Sequence, residues 1–480
     1  MKERNLRLLN EFKNGILFTA VGKYSNVIIQ LFVNAILSRI LTPADYGIVA
    51  VVNVFLVFFQ MLADFGIGPA IIQNRNLTKE DIQDIFSFTS VSSIILGVLF
   101  MFLGYPISLF YNNPVYIPVA IVLGICVVFY TLLVVPQAVI QKSKNFKLIN
   151  IVLIGSNFIS GVISIIAAFL GASYYSLILG NIVKAAFLFF MFFFYSKLSL
   201  SFKISLKPIK KIYSFSKNQF LFSFINYFSR NFDNILIGAY LNSTALAFYD
   251  KAYQLSLYPN QVLTSVITPV IQPIMSEYEN DKERIEKVYL QITKILALLG
   301  IPLTVFLFFS AEDVILFMFG DQWGNSVLTF QILSVSVWIQ MISSSAGAIF
   351  QSANRTDLLL RSGVITSIVN ISCIVAGILY GRIEAVALLL VIAFTINFVI
   401  NNYLLMYVLF KSSFKQLLKE FKNPVIIGVM ELILLLLLPT TDFGVFFDLL
   451  IKGVGFLVVF VFGMVVTGEL KMMKKVLTNK

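Results

Sequence analysis

Eight ionisable side chains stand inside stretches that are otherwise apolar: Lys23, Arg39, Asp64, Lys184, Arg230, Asp233, Asp250 and Lys251. A charge in such a place is costly and normally faces a cavity or a partner. Lysine and arginine there can neutralise an anionic headgroup, such as a lipid diphosphate, that hydrocarbon would reject. Lys23 has no carboxylate one helical turn away, which makes it the leading phosphate candidate. Arg230 and Asp233 are three apart and share a helix face, so they serve either a ligand or each other as an ion pair. Arg39, at the outer end of its stretch, also suits an interfacial anchor that snorkels outward. The candidate ligand cations are therefore Lys23, Arg230, Lys251 and Arg39. Asp64, Asp233 and Asp250 are the candidates for ion coupling or ion pairing. Asp64 precedes a Gly66-Ile67-Gly68-Pro69 break and equally suits a helix cap. Pro69, Pro259, Pro269 and Pro273 free backbone carbonyls and permit bending, as a hinge would require.

Other chemistries are excluded by composition. The chain has no histidine, which removes imidazole acid–base catalysis and histidine metal sites. Its two cysteines, Cys126 and Cys373, lie in apolar runs and form neither a zinc pattern nor a disulfide framework. No GxxxxGK[ST] loop is present, so ATP hydrolysis is not expected. No outer loop holds a carboxylate and arginine constellation for glycosyl transfer, and Glu312, Asp313 and Asp321 read as an interfacial rim. The chain is expected to be no enzyme, with no cofactor and no metal.

The elements that must position these charges are membrane helices. Hydrophobic residues make up 58% of the 480 and charged residues 12%, against about 45–50% and about 25% in ordinary globular chains. A span needs about 20 apolar residues, and fourteen runs qualify: 14–41, 46–72, 84–110, 115–135, 148–170, 172–195, 216–241, 245–275, 287–309, 324–351, 357–380, 383–409, 423–439 and 445–468. The expected fold is an all-α polytopic membrane protein of about 14 transmembrane helices. The net charge of +12 is not a nucleic-acid footprint, because the lysines and arginines recur at every second turn. They occupy the first tail (Lys2, Arg4, Arg7, Lys13), the longest link (Lys197 to Lys217) and the last tail (Lys471, Lys474, Lys475, Lys480). By the positive-inside rule both termini are cytoplasmic. The link over 196–215 alternates apolar residues with lysines and is expected to lie along the inner membrane surface.

The chain also repeats itself. The corner Thr42-Pro43-Ala44-Asp45, followed by a helix that breaks before Pro69, is echoed at ILIGAYLNSTALAFYDKAYQL (Ile235 to Leu255), whose helix is expected to break at Pro269. Gln141 and Gln351 fall in a second matched pair of segments. Six spans per copy is an even number, so the halves share one orientation, with a site between them near mid-depth. The expected division is 1–205 (TM1–6), 206–415 (TM7–12 with the basic linker) and 416–480 (TM13–14 and a basic tail).

Over LTPADYGIVAVVNVFLVFFQMLADFGIGPAIIQ (Leu41 to Gln73), and again over ALAFYDKAYQLSLYPNQVL (Ala245 to Leu263), the chain resembles the Wzx-type polysaccharide and O-antigen flippases. These belong to the multidrug/oligosaccharidyl-lipid/polysaccharide exporter superfamily, and the likeness is strongest to the colanic-acid-exporter branch. The resemblance implies a V-shaped transporter in the bacterial plasma (inner) membrane. It would move undecaprenyl-diphosphate-linked oligosaccharide to the outer leaflet by alternating access, for lipopolysaccharide, exopolysaccharide or capsule synthesis. Lys23 and Arg230 match, by helix and depth, the cavity cations that receive the diphosphate in that family. Implied partners are membrane lipids and the polymerase and chain-length proteins of the pathway, with the flippase itself a monomer. A peptidoglycan-precursor flippase and a cation-coupled drug exporter share the superfamily. A membrane polysaccharide polymerase, the alternative from another class, should show a large catalytic outer loop.

Overall fold

In hydrocarbon every backbone N–H and C=O must be satisfied within the chain, which restricts an apolar sequence of this kind to helices or a closed barrel. The computed structural model describes the backbone of residues 2–74, 76–199, 205–276, 278, 281–438 and 444–470. It describes side-chain surroundings over the same residues except 2–20, 218, 222, 225–226, 229–230, 263–274 and 276. All regular structure among the described residues is helical. Nine helices there are long and apolar enough to cross a membrane, and a bent pair makes a tenth. A helix lies over each of the fourteen runs, but the expected number of spans is not reached by that measure. α17 (Lys422–Leu437) has only 16 residues, and α1 (Lys2–Ile40), α8 (Lys207–Tyr240) and α9 (Ser243–Ser276) run partly through residues outside the full description.

The chain divides into two compact units, Met1–Ala247 and Phe248–Lys480. In the first, α5 (Tyr116–Lys142) is the central element, packed on α2 (Pro43–Asp64), α3 (Ile67–Gln73), α4 (Lys79–Phe110) and α7 (Tyr175–Ser196). Its sequence is apolar on every side, as a helix with neighbours all round requires, and Leu123, Cys126, Val127 and Val135 have no exposed surface. α6 (Phe146–Phe169) joins α1 to α7, and α8 packs on α2, α3 and α4. In the second unit α10 (Lys282–Phe309) is central. It contacts α11 (Ala311–Phe319), α12 (Val327–Ser334), α13 (Val337–Ser352), α16 (Phe414–Glu420), α17 and α18 (Val445–Val466). α14 (Thr356–Leu379) pairs with α15 (Ile383–Tyr403), which continues as a π-helical turn over Leu404–Leu409.

Three expectations are corrected. α9 is helical from Ser243 to Ser276 with no break at Pro269. α2 is interrupted because Phe65 and Gly66 both turn left-handed, and no described residue of α9 does so. Residues 207–215 are the first turns of α8, not a separate surface segment, and 200–204 lie outside the described residues. The run 324–351 bends by 54° between α12 and α13. The bend falls at a serine pair that turns its hydroxyls onto the backbone: Ser334 Oγ donates to Gln331 O, and Ser336 Oγ to Leu333 O, both at 2.7 Å. The freed Trp338 N–H donates to Thr304 Oγ1 on α10 at 3.2 Å.

Candidate functional site

In the first unit one of the predicted carboxylates, Asp64, lies at the α2–α3 break. Asp64 ends α2 and accepts a hydrogen bond from Gly68 N at 3.1 Å, so its carboxylate caps the restarting helix. Pro69 is the third residue of α3, where its missing N–H would find no partner in any case. α8 crosses here, with Ser216 Oγ donating to Gly66 O at 3.3 Å. A side chain on Gly66 would stand 2.7 Å from Ser216 O and 2.9 Å from Gln219 Cβ, at a φ of +71°. Gly66→Ala is therefore expected to lose about 1–2 kcal/mol from the left-handed backbone alone. The displacement of α8 adds to this, and thermal unfolding in detergent measures both.

Asp233 is buried on α8 and accepts from Asn234 N at 2.9 Å. Six residues earlier Tyr227 OH donates to Val54 O, tying α8 to the middle of α2. Arg230 lies on α8 between them, but its side chain is outside the described residues. Lys23 and Arg39 are exposed along α1. Next to Lys23, Asn26 accepts from Asn157 Nδ2 at 2.8 Å and so holds α1 on α6.

The two corners meet. Thr42 and Asp45 form a reciprocal capping box at the start of α2, with Thr42 N donating to Asp45 Oδ2 at 2.9 Å and Asp45 N to Thr42 Oγ1 at 3.2 Å. Asp45 Oδ1 also accepts from Tyr174 N at 3.1 Å and from Ser173 Oγ, which fastens the corner to the α6–α7 turn. In the second corner Asn242 Oδ1 accepts from Ala245 N at 2.7 Å. Gly47, one turn into α2, lies directly against the Ser243 carbonyl of that corner.

In the second unit Lys251 is buried at 4% exposure. Its Nζ lies 4.9 Å from the centre of the Phe319 ring and 5.4 Å from that of Trp323, a cation–π arrangement. The box is braced by Phe248 edge-on to Trp323 and by Ser326 Oγ donating to Phe248 O at 2.9 Å. Asp250, one residue back, accepts from Gln254 Nε2 at 2.7 Å. Pro259 lies further along α9, and the surroundings of Pro269 and Pro273 are outside the described residues.

Several charges lie beyond the set drawn from the sequence. Lys452 on α18 pairs with Asp313 of α11 at 2.5 Å, so Asp313 is a buried partner rather than a rim acid. Lys294 on α10 pairs with buried Glu469 at 2.7 Å. Nearby, burial pushes the Glu420 carboxyl at the end of α16 above its ordinary range, against the pull of Lys294. Glu431 on α17 has no exposed surface, and neither carboxylate oxygen has a hydrogen-bond partner among the described residues. A search for charges in the last two apolar runs finds Glu431, Asp448 and Lys452. A buried unpartnered polar group costs about 1–3 kcal/mol, so Glu431→Met is expected to raise the melting temperature. A lowered one would mean that the carboxyl has a stabilising partner.

Comparisons with known proteins agree with this architecture. The family described as "Polysaccharide biosynthesis protein" matches residues 36–328. The teichuronic acid biosynthesis protein TuaB of Bacillus subtilis is 24% identical over 353 residues, 73% of each chain. The lipopolysaccharide biosynthesis protein WzxC of Escherichia coli is 21% identical over 371 residues, 76% of this chain and 74% of its own. Among solved structures, the lipid II flippase MurJ in an inward closed conformation matches with a TM-score of 0.75 at 16% identity, over 95% of this chain and 99% of that one. An inward-facing multidrug resistance transporter of the MATE family matches at 0.62 and 15% identity, over 82% and 99%.

Proposed function

This chain belongs to the polysaccharide biosynthesis protein family, and on that premise we propose that it is a flippase for undecaprenyl-diphosphate-linked oligosaccharide. The observation that carries the reading is the family match itself, which runs over 36–328 and takes in both corners together with Asp64, Asp233, Asp250 and Lys251. The sequence offers no outer loop with a carboxylate and arginine constellation for glycosyl transfer. It does have cations with which to receive a phosphate.

The diphosphate meets Lys23 and Arg230, with Arg39 and Lys251 contributing positive potential, while the isoprenoid tail stays in the bilayer. Asp64, Asp233 and Asp250 hold these helices or couple an ion to their motion. Pro69, Pro259, Pro269 and Pro273 supply the bending. Two like-oriented halves, 1–205 and 206–415, rock about the site, and 416–480 supplies the last two spans. The distribution of lysine and arginine supports cytoplasmic termini in the bacterial inner membrane. The chain acts as a monomer beside the polymerase and chain-length proteins of its pathway.

Reconstitution into proteoliposomes with fluorescent lipid-diphosphate oligosaccharides tests this. Leaflet occupancy is scored by quenching, with lipid II and a cationic drug as further substrates. Faster equilibration of the oligosaccharide lipids is expected. No translocation across that panel, or transport of the drug alone, would sink the proposal.

A further inference from the structure

The first unit has a groove that the transport reading does not use. It opens between the end of α2, the middle of α4 and the first turns of α8, with a volume of about 370 Å³. Leu62, Phe88, Ile95, Leu96, Ile209 and Ile212 are among its lining residues. Four hydroxyl-bearing residues also line it: Tyr213 is exposed, and the other three spend their hydroxyls on backbone. Thr89 Oγ1 donates to Phe86 O and Ser92 Oγ to Phe88 O, both at 2.9 Å, and Ser216 Oγ donates to Gly66 O at 3.3 Å. Water needs two or more polar partners in a cavity and a sugar needs more, so this lining suits hydrocarbon.

Its edge is charged. The lining residues Ile209, Ile212, Tyr213 and Ser216 form one stripe on α8. Lys210 and Lys217 follow the first and last of them, seven residues apart on the same flank, and both are exposed. Lys207 is exposed one turn earlier, and Lys211 is bound to Asp81 of α4 at 2.8 Å. Glu80 and Asp84 also stand on the first turns of α4, so the acids there are fewer than the lysines of α8.

We propose that this groove holds an acyl chain of one anionic phospholipid whose phosphate rests on Lys210 and Lys217. The apolar interior takes the chain, and the paired cations at its rim select the headgroup by charge. The site is separate from the substrate cations and does not rest on the flippase reading.

The test is lipid retention by the purified full chain, followed by native mass spectrometry with dioleoyl phosphatidylglycerol and dioleoyl phosphatidylcholine. One phosphatidylglycerol is expected to stay bound, preferred roughly tenfold or more over phosphatidylcholine. Lys210→Ala with Lys217→Ala should abolish that preference without moving the melting temperature, because both side chains are exposed. Ser92→Phe should reduce retention of both lipids by filling the groove, and Ile95→Trp provides a second filling variant should the first fail to fold. Glycerol 1-phosphate should not displace the lipid, because it has no chain to fill the groove. Equal retention of the two lipids, or unchanged retention in the filled variants, would overturn the site. Displacement by an undecaprenyl diphosphate would also overturn it, by assigning the groove to the substrate's tail.

Discussion

Lys23→Ala is expected to slow translocation of a diphosphate-linked oligosaccharide by about ten- to a hundredfold. A hydrogen bond to a charged group is worth about 1.5–3 kcal/mol, and each 1.4 kcal/mol is about a factor of ten. Lys23 is exposed on α1, so its loss should leave folding alone and the effect should appear in transport only. Lys23→Arg keeps the charge and is expected to retain most of the rate. Leaflet-resolved quenching in proteoliposomes reads all three proteins under one protocol. An alanine variant as fast as the parent would remove Lys23 from the substrate path.

A large loss of stability is expected from Gly47→Ala. The added carbon would lie 2.2 Å from Ser243 O and 2.5 Å from the carbonyl carbon, and both atoms are backbone, which cannot rotate away. Either α2 or the second corner must shift. Shifting α2 strains the Thr42–Asp45 capping box and the Asp45 bonds to Ser173 and Tyr174. Overpacking of this kind typically costs about 1–3 kcal/mol and more where the neighbour cannot yield, so about 3 kcal/mol or more is expected here. Gly363→Ala is the control, because its added carbon meets open space within a helix. Thermal unfolding in detergent should separate the two variants clearly. Equal melting temperatures would mean that the corners are not held together.

Much of this protein was legible in its sequence because a bilayer leaves few options. Apolar runs in a medium without hydrogen-bond partners become helices, so the helices fall where the runs predict them. The corner was legible too, since Thr42, Pro43 and Asp45 carry the signature of a capped helix start, and two glycines near Pro69 announce a break. Pro269 misled because proline within a long helix need not interrupt it, whereas two consecutive left-handed residues do. The role of Asp313 was hidden for another reason. Its partner Lys452 is 139 residues away, and no local pattern records so distant a pairing.

By itself, then, the sequence determined the class of solvent, the helices and the places where charge enters hydrocarbon. These follow from transfer free energies that act residue by residue. Only the tertiary structure decided what each charge touches: Asp64 caps α3, Lys251 lies over two aromatic rings, Glu431 has no partner among the described residues, and the two corners abut at Gly47 and Ser243. Those outcomes depend on distances between residues far apart in the chain, and packing alone sets them.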